Sequence, residues 1–172
     1  TTGTGNRAYG IRNLGNNKTT VSGGIATSCR NCYGIYNLGN NNTATVSGSI
    51  VTSGLSGYGI RHSGDNNTTI VSGSIATSEM SGYGIYNNGN KNTTIMSGTF
   101  TASGNRDSAN YGIYNSGDEN ITTMSGSIST VGSSSYGIRH SGDNNTTTVS
   151  GSITTGGSSA RGIHHSGDNN TT

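Results

Sequence analysis

Charge is scarce in this chain, and so are the residues that normally build a globular core. Charged residues fill 9% of the 172 positions and hydrophobic residues 27%, against roughly 25% and 45–50% in ordinary globular domains. A single conventional core is therefore excluded. Proline and tryptophan are absent, phenylalanine occurs once and cysteine twice. Disordered chains typically combine low hydrophobicity with high net charge and much proline, and here the net charge is only +2 with no proline. No stretch approaches the roughly 20 apolar residues of a membrane helix. A charge of +2 with three spaced arginines (Arg12, Arg61, Arg139) makes no nucleic-acid-binding patch.

What the chain does have is a period. Tyr-Gly-Ile returns at 9–11, 33–35, 58–60, 83–85, 111–113 and 136–138, with Arg161-Gly162-Ile163 as its last variant. The intervals between the isoleucines are 24, 25, 25, 28, 25 and 25 residues. Such self-similarity marks a repeat architecture in which each unit covers its neighbours' apolar side.

Within each unit, two stretches of period 2 are separated by turn residues. One column reads Val21, Val46, Val71, Met96, Met124, Val149, and another Ile25, Ile50, Ile75, Phe100, Ile128, Ile153. Size is traded in these columns but polarity is kept, so both are expected inside. The tyrosines of Tyr-Gly-Ile are assigned to the inner face with the isoleucine, and the glycine to the outer one. Ser22, Ser47, Ser72, Ser97, Ser125 and Ser150 are expected outside. Between the Val and Ile columns lies a glycine in every copy (Gly23 to Gly151), which implies a bend or a close approach of the opposite wall. A second glycine, at Gly15, Gly39 and their equivalents, opens an Asn/Asp-rich turn. Strands this short and regular, with no helical pattern between them, predict an all-β, parallel β-solenoid (β-helix). It would have about seven rungs, a period near 25 residues, about 4.8 Å of rise per rung and right-handed coiling. The whole of 1–172 reads as one solenoid segment. Its termini fall inside a repeat, so an uncapped part of a longer array is expected, with any leader or anchor outside it.

Gly/Asn/Ser/Thr-rich rungs of this length with an inward Ile/Val ladder resemble the β-solenoid shafts of bacterial secreted adhesins. These are the filamentous-haemagglutinin-type proteins and autotransporter passenger domains. The resemblance implies an extracellular or cell-surface protein acting in adhesion, aggregation or fibre formation. The calcium-binding nonapeptide of another β-solenoid class is missing, and no translocator or secretion domain is matched.

The candidate chemistry is sparse. Asp65, Asp118, Asp143 and Asp168 share one turn position with Asn16, Asn40 and Asn90. Acid/base catalysis wants carboxylates in different environments, which a one-position ladder does not supply, so these read as turn residues. His62, His140 and His165 alternate with Asn13, Asn37, Asn87 and Asn115. Two stacked histidines without a third ligand make an incomplete metal site, and an in-register Asn/His ladder is expected instead. Cys29 and Cys32 suit a local disulfide in an exported protein, with free thiols as the alternative. Asn-x-Ser/Thr sequons at Asn17, Asn41, Asn66, Asn67, Asn92, Asn120, Asn144, Asn145, Asn169 and Asn170 are candidate glycan acceptors on such a protein.

The expectation is a structural or adhesive extracellular repeat protein forming a stiff rod or filament. It has no enzymatic activity, no cofactor and no metal. Its partners are copies of itself, end to end or side by side, or a host or abiotic surface, carbohydrate included. The alternative is a module that binds ice or carbohydrate surfaces through outward Thr, Ser and Asn rows.

Overall fold

The computed structural model describes residues 6–78, 80–104 and 108–172. They form nineteen strands and no helix, wound as a parallel β-solenoid of six complete turns plus one further strand. Three parallel sheets make three sides. The first collects β1 (Arg7–Asn13), β4 (Asn31–Leu38), β7 (Ser56–Ser63), β10 (Tyr83–Asn87), β13 (Tyr111–Asn115), β16 (Tyr136–His140) and β19 (Arg161–His165). The second holds β2 (Lys18–Val21), β5 (Thr43–Val46), β8 (Thr68–Val71), β11 (Thr93–Met96), β14 (Ile121–Met124) and β17 (Thr146–Val149). The third holds β3 (Gly24–Ser28), β6 (Ser49–Ser53), β9 (Ser74–Ser78), β12 (Thr99–Ser103), β15 (Ser127–Val131) and β18 (Ser152–Gly156).

Register is one repeat per rung on every side. Ile60 lies beside Ile35 and Ile85, Val71 beside Val46 and Met96, and Phe100 between Ile75 and Ile128. The three columns meet in one continuous core. Ile35, Ile60, Ile85, Ile113 and Ile138 come from the first side, the Val/Met column from the second, and the Ile/Phe column from the third. Fully burying each such side chain is worth about 1.5–3 kcal/mol, and the stacking lets so few apolar residues suffice.

The Ser-Gly step turns the chain from the second side to the third. At Gly48, Gly73, Gly98, Gly126 and Gly151 an added Cβ would run into the glycine carbonyl of the preceding rung. The inward glycine is therefore a corner, and the stretch read as one strand is two.

The tyrosine assignment is corrected. An added Cβ on Gly34, Gly59, Gly84 or Gly137 would meet the Ile50, Ile75, Phe100 or Ile153 side chain, so this glycine faces the core. Pairing joins Tyr to Tyr and Ile to Ile but skips the glycine between them. The chain bends there, both glycine and isoleucine point inward, and the tyrosine lies on the outer side, half-buried under its neighbours and, at Tyr33, almost fully covered. Strict alternation does not survive a residue that has no side chain to orient.

The Asn-rich turn also explains the one short interval. Asn41, Asn66, Lys91, Glu119, Asn144 and Asn169 occupy one turn position with φ of 55–58°. The first turn has no residue there: Asn17 pairs with Asn42 directly after Asn16. The deletion removes the left-handed residue and leaves the ladder intact. The 28-residue interval places its extra residues around 105–107, outside the described residues.

Candidate functional site

No compact site gathers the candidate residues; the architecture spreads them into columns. The innermost polar column is the Asn/His ladder at the end of the first side. Asn13 donates through Nδ2 to Asn37 Oδ1 at 2.7 Å, and Asn37 Nδ2 lies 3.2 Å from His62 Nδ1. Asn87 donates to Asn115 at 2.7 Å, and Asn115 Nδ2 lies 3.1 Å from His140 Nδ1. Each histidine Nε2 meets a threonine hydroxyl one turn onward: His62 with Thr69 and His140 with Thr147, both at 2.6 Å. An amide donor at Nδ1 fixes the neutral ring with its proton on Nε2, which donates to the threonine. His62 and His140 are wholly buried, and burial holds both well below the ordinary histidine value, at about 4. His165 stacks on His140 with centroids 4.9 Å apart and planes within 9°. The two rings lie face to face rather than converging on a point. Among the described residues no group of three His, Cys, Asp or Glu side chains is placed to hold a metal ion.

The Asp/Asn turn column is a second ladder, on the exposed edge. Asp65 N–H donates to Asn40 Oδ1, Asn90 N–H to Asp65, Asp118 N–H to Asn90, Asp143 N–H to Asp118 and Asp168 N–H to Asp143, at 2.7–2.9 Å. Either residue supplies the same acceptor, which accounts for their exchange.

A third ladder is one that sequence reasoning missed. Asn42, Asn67, Asn92, Asn120 and Asn145 are buried. The backbone N–H of each of the first four donates at 2.8 Å to the side-chain oxygen of the next asparagine. Asn145 makes the same bond to Asn170. Asn42, Asn67 and Asn120 also bond the glycine that opens their own turn. The signal was available: this position is asparagine in every copy, while the two before it vary. The glycan assignment is corrected accordingly at Asn67, Asn92, Asn120 and Asn145, whose side chains are inside the rod and leave no room for a sugar. Asn17, Asn41, Asn66, Asn144 and Asn169 are exposed, and Asn170 is partly so.

Outside the first side, aromatic rings run the length of the rod. Tyr9, Tyr33, Tyr58, Tyr83, Tyr111 and Tyr136 stack at 4.7–5.3 Å. Beside them runs the mixed column of Arg12, Tyr36, Arg61, Tyr86, Tyr114, Arg139 and His164. The Arg61 guanidinium lies 5.5 and 5.3 Å from the Tyr36 and Tyr86 ring centres, and Arg139 lies 5.2 Å from those of Tyr114 and Tyr136. Burial raises the phenols of Tyr58, Tyr83 and Tyr111 above the ordinary value. Cross-rung stacking and cation–π contact, worth about 0.5–1 kcal/mol each at exposed sites, account for this strip.

Cys29 and Cys32 flank the corner between β3 and β4, with Cα atoms 5.4 Å apart and their sulfurs paired. The separation is ordinary for a disulfide. A shallow groove along the second corner is lined by Ser22, Gly23, Ser47, Gly48, Ser72 and Gly73 and their neighbours, none of them titratable. Among the described residues no helix is long and apolar enough to cross a membrane. No family model, curated protein or solved structure matches the chain.

Proposed function

We propose that the chain is a stiff, passive rod of an extracellular or cell-surface protein, contributing structure and adhesive contacts rather than chemistry. The observation that carries this reading is that like residues stack in columns on every side and at both polar turns. Those columns make the rod self-supporting and its surface repetitive, which is what a shaft needs and what a catalytic pocket does not. The four turn aspartates, Asp65, Asp118, Asp143 and Asp168, share one kind of environment, so none of them is set apart as an acid from a base. The style of the repeats resembles adhesin shafts, and a local disulfide at Cys29–Cys32 suits an oxidising compartment. Partners on this reading are further copies of the rod or a surface it lies against.

One chain of six turns spans only about 30 Å at about 4.8 Å per rung, so electron microscopy of the purified chain tests the structural half through assembly: thin, unbranched filaments many chains long are expected, and particles that stay the size of one chain contradict it. Protease treatment of intact producing cells tests the location. Loss of the chain while cytosolic markers survive is expected, and protection of the chain contradicts an external site.

A further inference from the structure

The outward face of the second sheet differs from the other two. Its two columns read Lys18, Thr43, Thr68, Thr93, Ile121, Thr146 and Thr20, Thr45, Ile70, Ile95, Thr123, Thr148, paired rung by rung. Every position except Lys18 is threonine or isoleucine. Ile70, Ile95 and Ile121 are 37%, 42% and 48% exposed in a chain that has few apolar residues to spare. Among the described residues, no side-chain hydrogen bond engages the outward threonine hydroxyls, whereas inward Thr69, Thr94, Thr122 and Thr147 are all bonded to the Asn/His ladder. Strand propensity does not demand this composition, because the third sheet forms equally well with Gly24, Ser49, Ser74, Thr99, Ser127 and Ser152 in one outward column and a mixture of Ala26, Val51, Ala76, Thr101, Ser129 and Thr154 in the next.

What threonine and isoleucine share is a methyl group on a branched Cβ, and the branching leaves χ1 little freedom. The face is thus a rigid lattice of methyl groups, interspersed with free hydroxyls. Its repeats are about 4.8 Å across the strands and about 6.6 Å along them. Six short strands give roughly 300 Å², well under the roughly 800 Å² per partner of a stable protein interface. No aromatic ring lies on the face to stack on a sugar or a base. Lys18, at one end, is its only cation, too little to hold an anionic lipid surface. Water remains. Methyl groups cannot hydrogen-bond, so the water over them bonds to itself, and fixed, evenly spaced methyls and hydroxyls impose their period on that layer. Little side-chain entropy is lost when the layer freezes in place.

We propose that this face binds ice. The shaft reading does not depend on it: filaments that ignore ice would sink this assignment and leave the shaft reading standing, while ice-active chains that never assemble into filaments would do the reverse.

The test is thermal hysteresis and seed-crystal shape for the purified chain. A gap between melting and freezing points and faceted crystals are expected. Thr93→Lys and Ile95→Lys, at the centre of the face, should abolish both, while Thr101→Lys on the third side of the same rung leaves them. Circular dichroism checks that the variants fold. Where the lysine variants fail to fold, Ile95→Thr, which keeps the methyl, should retain activity, and Thr93→Ser, which removes it, should weaken it. Absence of hysteresis and faceting with the folded chain overturns the proposal. So does equal loss in Thr101→Lys, or adsorption to insoluble cellulose or chitin through this face in place of ice.

Discussion

Acidification should weaken the rod through two buried rings. His62 and His140 each accept an amide hydrogen at Nδ1 and donate from Nε2 to a threonine. A second ring proton would sit at Nδ1, pointing at the Asn37 or Asn115 amide donors. Both rings are fully buried, and burial lowers them from the ordinary 6.5 to about 4. The unfolded chain takes up a proton as pH falls through 6.5, and the folded chain only near 4. The stabilisation is therefore complete above 6.5 and is lost progressively down to about 4. At 1.36 kcal/mol per pH unit this amounts to about 3 kcal/mol for each ring, a large share of the roughly 5–15 kcal/mol that holds typical domains. The assay is urea unfolding followed by circular dichroism at pH 7, 6, 5 and 4.5. The midpoint should fall steadily across that range. Replacing both histidines by the asparagine found at this position in other rungs (His62→Asn with His140→Asn) should remove most of the fall. An unchanged midpoint at pH 4.5, or an equal fall in the double variant, refutes the reasoning.

Two further outcomes follow from the asparagine ladder. Asn67→Ala leaves the buried Asn42 N–H without its acceptor and the Gly64 carbonyl without its donor, at about 1–3 kcal/mol per group, so a loss of roughly 2–6 kcal/mol is expected by urea titration. A loss no greater than that of exposed Asn66→Ala contradicts the ladder. After expression through a glycosylating secretory route, site-mapped mass spectrometry should find sugars only among Asn17, Asn41, Asn66, Asn144, Asn169 and Asn170. Occupancy at Asn92 or Asn120 in folded protein contradicts their burial.

The period and the Val/Met and Ile/Phe columns were legible because stacking copies the environment of a position, and polarity then persists where size does not. The third side was harder to see. A corner made of Ser-Gly keeps the alternation of an unbroken strand, and only the backbone shows the bend. Tyrosine was misplaced for a related reason: Tyr-Gly-Ile reads as alternating, yet its glycine packs on the facing isoleucine and shifts the phase by one. The Asn/His ladder was legible because two residue types exchanging at one position share only their hydrogen bonding. The buried asparagines were obscured by the sequon pattern, in which a structural amide and an acceptor for sugar look alike. The face of threonine and isoleucine was visible as mixed columns, but not its contrast with the serine-rich third side.

The in-register stack itself is tested most directly by methyl nuclear Overhauser contacts in a chain with isotope-labelled isoleucines. Ile60 should show contacts to Ile35 and Ile85, its partners one rung away on either side, and to Ile75 across the core. Contacts from Ile60 that skip both neighbouring rungs, or that match antiparallel pairing, would contradict it.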